Sequence, residues 1–415
     1  MIRELLSIAR ARDLYELAQL ATDPHIDSVL ELCSKSDAAM HRLREAVELF
    51  LGPSFSESDI PSPRLRDEVY RAGALAALVL AVVLGPRYVR TFAVRASKII
   101  ESFLASVGDE ELQRLGRVLG IDLKIGAPCM LEIPQYIDAR GDVIKTCFRY
   151  AVKLHHYLIA ARSLFTEPSW KLTNQVLDRG WVYIDRRERV SRLLAERFRQ
   201  IVEDKLMGLY RDSESRDYFQ SIVEKYEALK ALLNEIAKPI SDTRAGTPAT
   251  ASEGLARSER VNEAAFGSID LSSLTSVEEL IQLANTYFPP CIQKILNDLL
   301  NGENLSHHQR FALATFLINI GVDLELILEL FRRAPDFNEK IARYQIEHLA
   351  GLRGSRKKYL PYSCATMKTL GMCPGIDCGV KNPLVAFYRS FKRAKRSRTQ
   401  KRGSGERPRD ETAVS

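Results

Sequence analysis

Four thiols in the last third of the chain carry the chemistry. Cys291, Cys364, Cys373 and Cys378 are separated by 72, 8 and 4 intervening residues. The last three lie between Pro361 and Pro383, a segment poor in acids and rich in Gly, Pro and Lys. Thiolates among cations read as a metal cluster that organises a surface for anions, and the large anion that fits is nucleic acid. Structural zinc sites use short Cys-x₂₋₄-Cys pairs. Only Cys373 and Cys378 approach that spacing. An iron–sulfur cluster also takes four thiolates and tolerates looser spacing, because its ligands grip a larger inorganic core. Spacing alone leaves the two metals level. A Cys291 ligand would tie the start of a domain to its end, so that metal binding contributes to folding. Cys33, Cys129 and Cys147 read as free thiols.

The surroundings of the late cysteines are basic. Residues 341–388 hold seven Lys/Arg, namely Arg343, Arg353, Arg356, Lys357, Lys358, Lys368 and Lys381, against Glu347 and Asp377. Tyr344, Tyr359 and Tyr362 are interleaved. Cations with aromatics suit single strands, on which bases stack and phosphates pair; a solvated basic loop with core tyrosines is the plainer alternative. Ser306-His-His-Gln-Arg310 is sharper. If Ser306 caps a helix, His307 and Arg310 share one face of its first turn, where free amides and the helix dipole favour an anion; a capped helix with surface His and Arg is the plainer alternative. The formal net charge of +7 adds nothing to this, because it resides wholly in the tail from Arg389 onward and the body sums to zero.

Several catalytic signatures are missing. The chain has no Gly-x-x-x-x-Gly-Lys-Ser/Thr and no Gly-x-Gly-x-x-Gly phosphate cradle. It has no Asp-x-Asp to hold the Mg²⁺ ions of a two-metal nucleotidyl transferase. Asp138 and Asp142 could meet at i, i+4 on a helix, but read better as solvated acids. No complete catalytic set is present.

The elements that must position these residues are mainly helical. Residues 1–238 form a helical domain, with helix over Ser36–Phe50 and Glu101–Leu119. A small α/β insert spans about 121–185. Within it, Val143–Leu158 fits strand or buried helix, and Trp170–Asp185 reads as a hairpin turning at Gly180. Helix returns over Arg186–Tyr210 and Tyr218–Ala237. Residues 239–267 are small and polar and form a flexible linker, whose roughly 25 residues would span about 25–30 Å. A second domain occupies 268–390, with capping boxes at Thr275-Ser-Val-Glu278 and Ser306-His-His-Gln309, the latter opening a helix that ends at Gly321. A basic disordered tail follows at 391–415. The apolar run Ala72–Leu84 has thirteen residues. That is short of the about 20 needed to span a bilayer, so it reads as a buried core helix. Absence of a secretory signal points to a reduced, cytoplasmic setting and no membrane partner.

The C-terminal motifs resemble the large subunit of archaeal/eukaryotic-type DNA primase, in its archaeal form. The matching pieces are Phe288-Pro-Pro-Cys291, Leu305-Ser-His-His-Gln-Arg310 with Phe316-Leu-Ile-Asn-Ile-Gly321, Arg343-Tyr-Gln-Ile-Glu-His348, Pro361-Tyr-Ser-Cys364, and Cys373 with Asp377-Cys378-Gly-Val-Lys-Asn-Pro383. The resemblance implies that Cys291, Cys364, Cys373 and Cys378 ligate a [4Fe–4S] cluster. It also implies a non-catalytic subunit of a heterodimeric primase, whose catalytic small subunit docks on the N-terminal domain through the α/β insert. His307 and Arg310 stand at the family's His-x-x-Arg positions, and Tyr344 and His348 at its Tyr-x-x-x-His positions. Ser306 stands where eukaryotic relatives often carry a basic residue. These four residues, with Arg356, Lys357, Lys358, Lys368 and Lys381, are the expected contacts to single-stranded DNA template, RNA/DNA primer and initiating NTP. The alternative is a stand-alone iron–sulfur or zinc nucleic-acid-binding protein.

Overall fold

The computed structural model describes residues 1–11, 16, 20, 24–55, 68–137, 143–237, 271, 274, 276–354 and 356–391. The linker 239–267, the tail from 392 onward, Asp138 and Asp142 lie outside the described residues. The chain divides into two compact units. One comprises Met1–Ala245 with Asp298–Ser306 and Phe331–Lys340, the other Gly246–Asn297, His307–Leu330 and Ile341–Ser415. Both are mainly α, and among the described residues the strands are confined to the insert.

Apolar residues at helical spacing build the first unit from α1 (Ile2–Arg10), α2 (Pro24–Lys35), α3 (Asp37–Leu51), α4 (Glu68–Leu84), α5 (Pro86–Ser106) and α6 (Asp109–Val118). The expected core helix is α4. It is apolar nearly all round because it is packed nearly all round, and Ala74, Leu78, Leu80 and Val82 are inaccessible to water. Gly73 lets α4 approach α3 closely, since a Cβ there would lie 2.3 Å from the Ala46 Cβ. Among the described residues no helix is long and apolar enough to cross a membrane.

The single helix expected over Glu101–Leu119 is two helices. α5 stops at Ser106, and α6 restarts at Asp109 behind an N-cap Gly108. Asp109, Glu110 and Glu111 fill the first turn of α6, where carboxylates favour a new N-terminus. Arg187 closes the break, donating to Leu104 O and Ala105 O and pairing with Asp109 at 2.9 Å.

The insert contains β1 (Leu123–Ile125), β2 (Leu131–Ile137), β3 (Val143–Phe148), β4 (Tyr150–Lys153), α7 (Leu154–Ala160), β5 (Val176–Asp178) and β6 (Trp181–Ile184). Four strands form an antiparallel sheet in the order β1-β4-β6-β5, and β2 pairs with β3 in a separate ribbon. The stretch Val143–Leu158 is thus strand first and helix afterwards. The Gly180 turn is present: Arg179 and Gly180 have φ of 48° and 79°, the left-handed pair that a two-residue hairpin requires. Its first strand is shorter than expected, because Trp170–Asn174 coils in 3₁₀ turns held by Asn174 Nδ2 donating to Pro168 O at 2.7 Å.

Two cysteines expected to be free are not. The antiparallel ribbon brings Cys129 back to Cys147, and the two form a disulfide with Cα atoms 5.6 Å apart. Cys33 is a buried free thiol. The unit closes with α8 (Arg187–Arg211), α9 (Ser213–Lys225) and α10 (Glu227–Ala237). A cap on Asp212, accepting from Ser215 N–H at 2.9 Å, separates the first two.

The second unit carries α11 (Val277–Tyr287), most of α12 (Pro290–Leu300), α13 (His307–Ile320), most of α14 (Leu324–Phe331) and of α15 (Glu339–Leu349), and α16 (Cys364–Thr369), with a further helix over 383–391. The edges of three helices fall in the first unit: α12 from Asp298 onward, α14 at Phe331 and α15 up to Lys340. The cap of α11 is Ser276, accepting from Glu279 N–H at 3.2 Å, one residue after the expected Thr275. The α13 helix begins directly after Ser306. It ends at Gly321, whose φ is 93°, with Val322 N–H to Leu317 O and Gly321 N–H to Ile318 O. Phe288, Phe316 and Phe387 meet edge to face in a triangle, with centroids 5.0–5.8 Å apart. That triangle joins the C-cap of α11, the middle of α13 and the 383–391 helix.

Candidate metal centre and nucleic-acid interface

Each late cysteine sits at a turn or a helix start. Pro290 opens α12 and Cys291 follows it, with Pro289 O accepting the amides of Ile292 and Gln293 at 2.9 and 3.0 Å. Cys364 is the first residue of α16, behind Ser363, whose Oγ accepts Thr366 N–H at 3.1 Å. Past α16, Met372 N–H reaches Met367 O around Gly371, which has φ of 71°, and this turn delivers Cys373. Asp377 Oδ1 accepts Gly379 N–H at 2.9 Å and shapes the turn at Cys378. Cys364 N–H donates to Lys381 O at 2.9 Å, and Arg389 donates to Gly379 O at 2.9 Å. Both bonds hold the last cysteine turn against the helices beside it.

All four thiols, together with Pro290, Met367 and Ile376, line one recess of about 440 Å³ including its open mouth. Cys291 is buried at its base and Cys378 is exposed at its rim. Burial pushes the Cys291 thiol up to about 12, with the other three sulfurs adding to the rise and the Ile292 amide opposing it. Burial also raises Cys364, as do Cys378 and Cys373, while Lys368 opposes them. Four thiolates around one hollow repel one another, so they ionise together only against positive charge inside it. Among the described residues no three His, Cys, Asp or Glu side chains are grouped closely enough to hold a single metal ion. Four sulfurs lining one recess are the donor set that a four-thiolate centre requires, whether one zinc ion or an iron–sulfur core.

The expected nucleic-acid residues fall into three groups. His307, Tyr344 and His348 belong to one continuous run of rings. Tyr344 lies parallel to His348, 7° between planes and 6.2 Å between centroids. His348 meets Tyr359 at 5.4 Å, and Tyr359 meets Phe311 edge to face at 6.1 Å. Phe311 lies 4.7 Å from Tyr362, which leads through His308 to His307. Two hydrogen-bonding contacts stiffen the run: His308 Nδ1 to Tyr362 Oη at 3.0 Å and His348 Nε2 to Tyr359 Oη at 3.4 Å. Arg310 stands one turn after the exposed His307 on α13. In the second group, Arg356, Lys357 and Lys358 are exposed on the loop after α15. Lys368 and Lys381 form the third group and stand with the cysteines: Lys368 lines the recess, and Lys381 supplies the carbonyl bonded to Cys364.

Sequence reasoning missed the middle of the ring series. Tyr359 and Tyr362 were visible as interleaved tyrosines, but Phe311 and His308 carried no signal beyond apolar and polar helix positions. Arg343 leaves the cationic surface, because its guanidinium pairs with both oxygens of Glu325.

Residues 281–400 match the family model for the C-terminal domain of the eukaryotic and archaeal DNA primase large subunit. A DNA primase large subunit from Methanopyrus kandleri is 50% identical over 113 residues, 27% of this chain and 28% of that protein. The match therefore spans little more than a quarter of that relative. Longer matches exist as well. The large subunit from Methanococcoides burtonii is 30% identical over 315 residues, 75% of this chain and 71% of that one. That from Methanosarcina mazei is 28% identical over 340 residues, 81% and 74% of the two chains.

Proposed function

The chain belongs to the archaeal-type family of DNA primase large subunits, and from that premise we propose that it is the non-catalytic partner of a catalytic small subunit. In this reading the second unit holds a [4Fe–4S] cluster on Cys291, Cys364, Cys373 and Cys378. It binds single-stranded template and the initiating NTP, then the RNA or DNA primer that grows from it. The observation that carries the reading is the meeting of all four late cysteines at one recess, in the same unit as the ring series that runs from Tyr344 to His307.

A bound cluster would supply four metal–thiolate bonds that join the start of α12 to α16 and the turns after it. The chain's own residues do the recognition. Unstacked bases find ring faces at Tyr344 and His348, and phosphates find the first turn of α13 with His307 and Arg310. The loop cations Arg356, Lys357 and Lys358 add attraction that weakens with salt. Primer initiation is hard because two free nucleotides must meet on a template before any primer exists. A protein surface that holds one of them beside the partner's carboxylates makes the encounter effectively unimolecular. The small subunit docks on the first unit through the α/β insert.

The test is reconstitution. Mixed with the small subunit from the same source, the full chain is expected to co-elute with it and to raise dinucleotide synthesis on a single-stranded template. Failure to co-elute, with single-strand binding retained, would contradict the proposal and favour a stand-alone nucleic-acid-binding protein.

A further inference from the structure

His348 is gripped at one edge by a residue with no side chain. The α15 helix ends at Leu349, and the chain turns at Gly351 with φ of 81°, Gly351 N–H donating to His348 O and Leu352 N–H to Glu347 O. Gly354 then returns to the imidazole with φ of 67°. A Cβ built on Gly354 would lie 2.6 Å from His348 Nδ1 and 2.9 Å from Cε1, inside van der Waals contact. Nδ1 is sealed from water there and has no hydrogen-bond partner. The opposite edge of the ring faces Tyr359 Oη at 3.4 Å, and Tyr344 lies parallel to it. Tyr359 is itself anchored, its N–H donating to Leu349 O at 2.9 Å. The imidazole is thus confined from both edges, and one of the two confining surfaces is a bare backbone Cα.

We infer that Gly354 is a positioning residue for His348: it sets the plane of the imidazole that receives the initiating nucleoside triphosphate, and it does so by lacking a Cβ. The inference rests on the nucleotide-binding reading of His348 given above. The atoms in collision with an added methyl group are one edge of a half-exposed imidazole, not backbone. A Gly354→Ala chain therefore relieves the clash by rotating the ring away, not by unfolding the unit. The rotated ring leaves both Tyr359 and the plane of Tyr344. Losing one base-stacking partner corresponds to about a ten-fold weaker hold on a nucleotide.

A matched control separates this effect from backbone strain. Gly321 also has positive φ, 93°, but nothing lies within 4 Å of a Cβ there. Gly321→Ala carries the left-handed backbone penalty without touching a ring. The experiment compares Gly354→Ala, His348→Ala, their double variant and Gly321→Ala in the reconstituted heterodimer. It reads KM for the initiating nucleotide in dinucleotide synthesis, and the His348 ring ¹H–¹³C resonance in the isolated full-length chain. Expected are a shifted His348 resonance and a KM raised about ten-fold in Gly354→Ala, no further rise in the double variant, and an unchanged KM in Gly321→Ala. If His348→Ala raises KM but Gly354→Ala behaves like Gly321→Ala, with an unmoved resonance, the positioning role is overturned while the nucleotide-binding reading stands. If His348→Ala leaves KM unchanged, the nucleotide-binding reading fails and the inference falls with it.

Discussion

The two units reach stability by different routes. In the first, α4 is buried on nearly every face, and Phe50 stacks on Phe92 at 5.1 Å inside a large apolar core. Its polar groups mostly serve structure: Arg187 mends a helix break, and Lys205 Nζ donates to the carbonyls of Ile8, Ala9 and Ala11 at the end of α1. The second unit has a smaller apolar centre around Phe288, Phe316 and Phe387. Its 361–383 segment is mostly turns, and Met367 and Met372 are its large buried apolar side chains. Such a segment buries too little area to hold its own turns, and a cross-link is the usual remedy. One region spends its sequence on packing, and the other spends it on chemistry.

The largest effect should come from breaking that division at the cysteines. Cys364→Ser is expected to lower bound iron by at least about ten-fold and to destabilise the second unit, leaving helical melting of the first unit in place. Iron assay and two-probe thermal denaturation would check it. The converse strike is Phe92→Ala, a fully buried ring in the first unit. It should cost about 3–5 kcal/mol of that unit's stability while the metal content of the chain is preserved. A variant that lost both together would show the units to be energetically one.

Recognition should separate from packing as well. His307→Ala and Arg310→Ala are expected to reduce primer initiation by about ten-fold, the scale of a charge-assisted phosphate contact, and to reduce extension of a preformed primer much less. Equal losses in the two assays would remove these residues from the initiation site. The smallest effect sharpens the first unit. Tyr157 is buried, its O–H donates to Trp170 O at 2.7 Å, and burial raises the phenol to about 12. Its folded pKa lies above the ordinary value of about 10. The contribution of the neutral phenol is therefore complete below pH 10 and is lost as pH rises toward 12. Tyr157→Phe should flatten that part of the stability profile, as read by urea titrations across the alkaline range.

What was legible in the sequence follows the same division. A thirteen-residue apolar run marked α4, and the Gly180 turn and the α13 terminator were readable because Gly at positive φ is a local signal. The late cysteines, which line one recess, and the helix start after Ser306 were readable because clustered Cys and a Ser ahead of a helical run are local signals. Features made by the fold were not. The split at Gly108 depends on Arg187, far along the chain, and the 3₁₀ run at Trp170–Asn174 depends on local side-chain bonds that outweigh β propensity. The Cys129–Cys147 pair needs the ribbon register, and Phe311 joins its rings only when α13 meets the chain after α15.

The central claim is that the second unit is stapled by an iron–sulfur cluster on its four late cysteines. Its most direct test is the visible spectrum and metal content of the full chain purified without oxygen. A [4Fe–4S] cluster would give a brown protein with broad visible absorption and about four iron atoms per chain, both lost in Cys364→Ser. A colourless protein carrying one equivalent of zinc would contradict it.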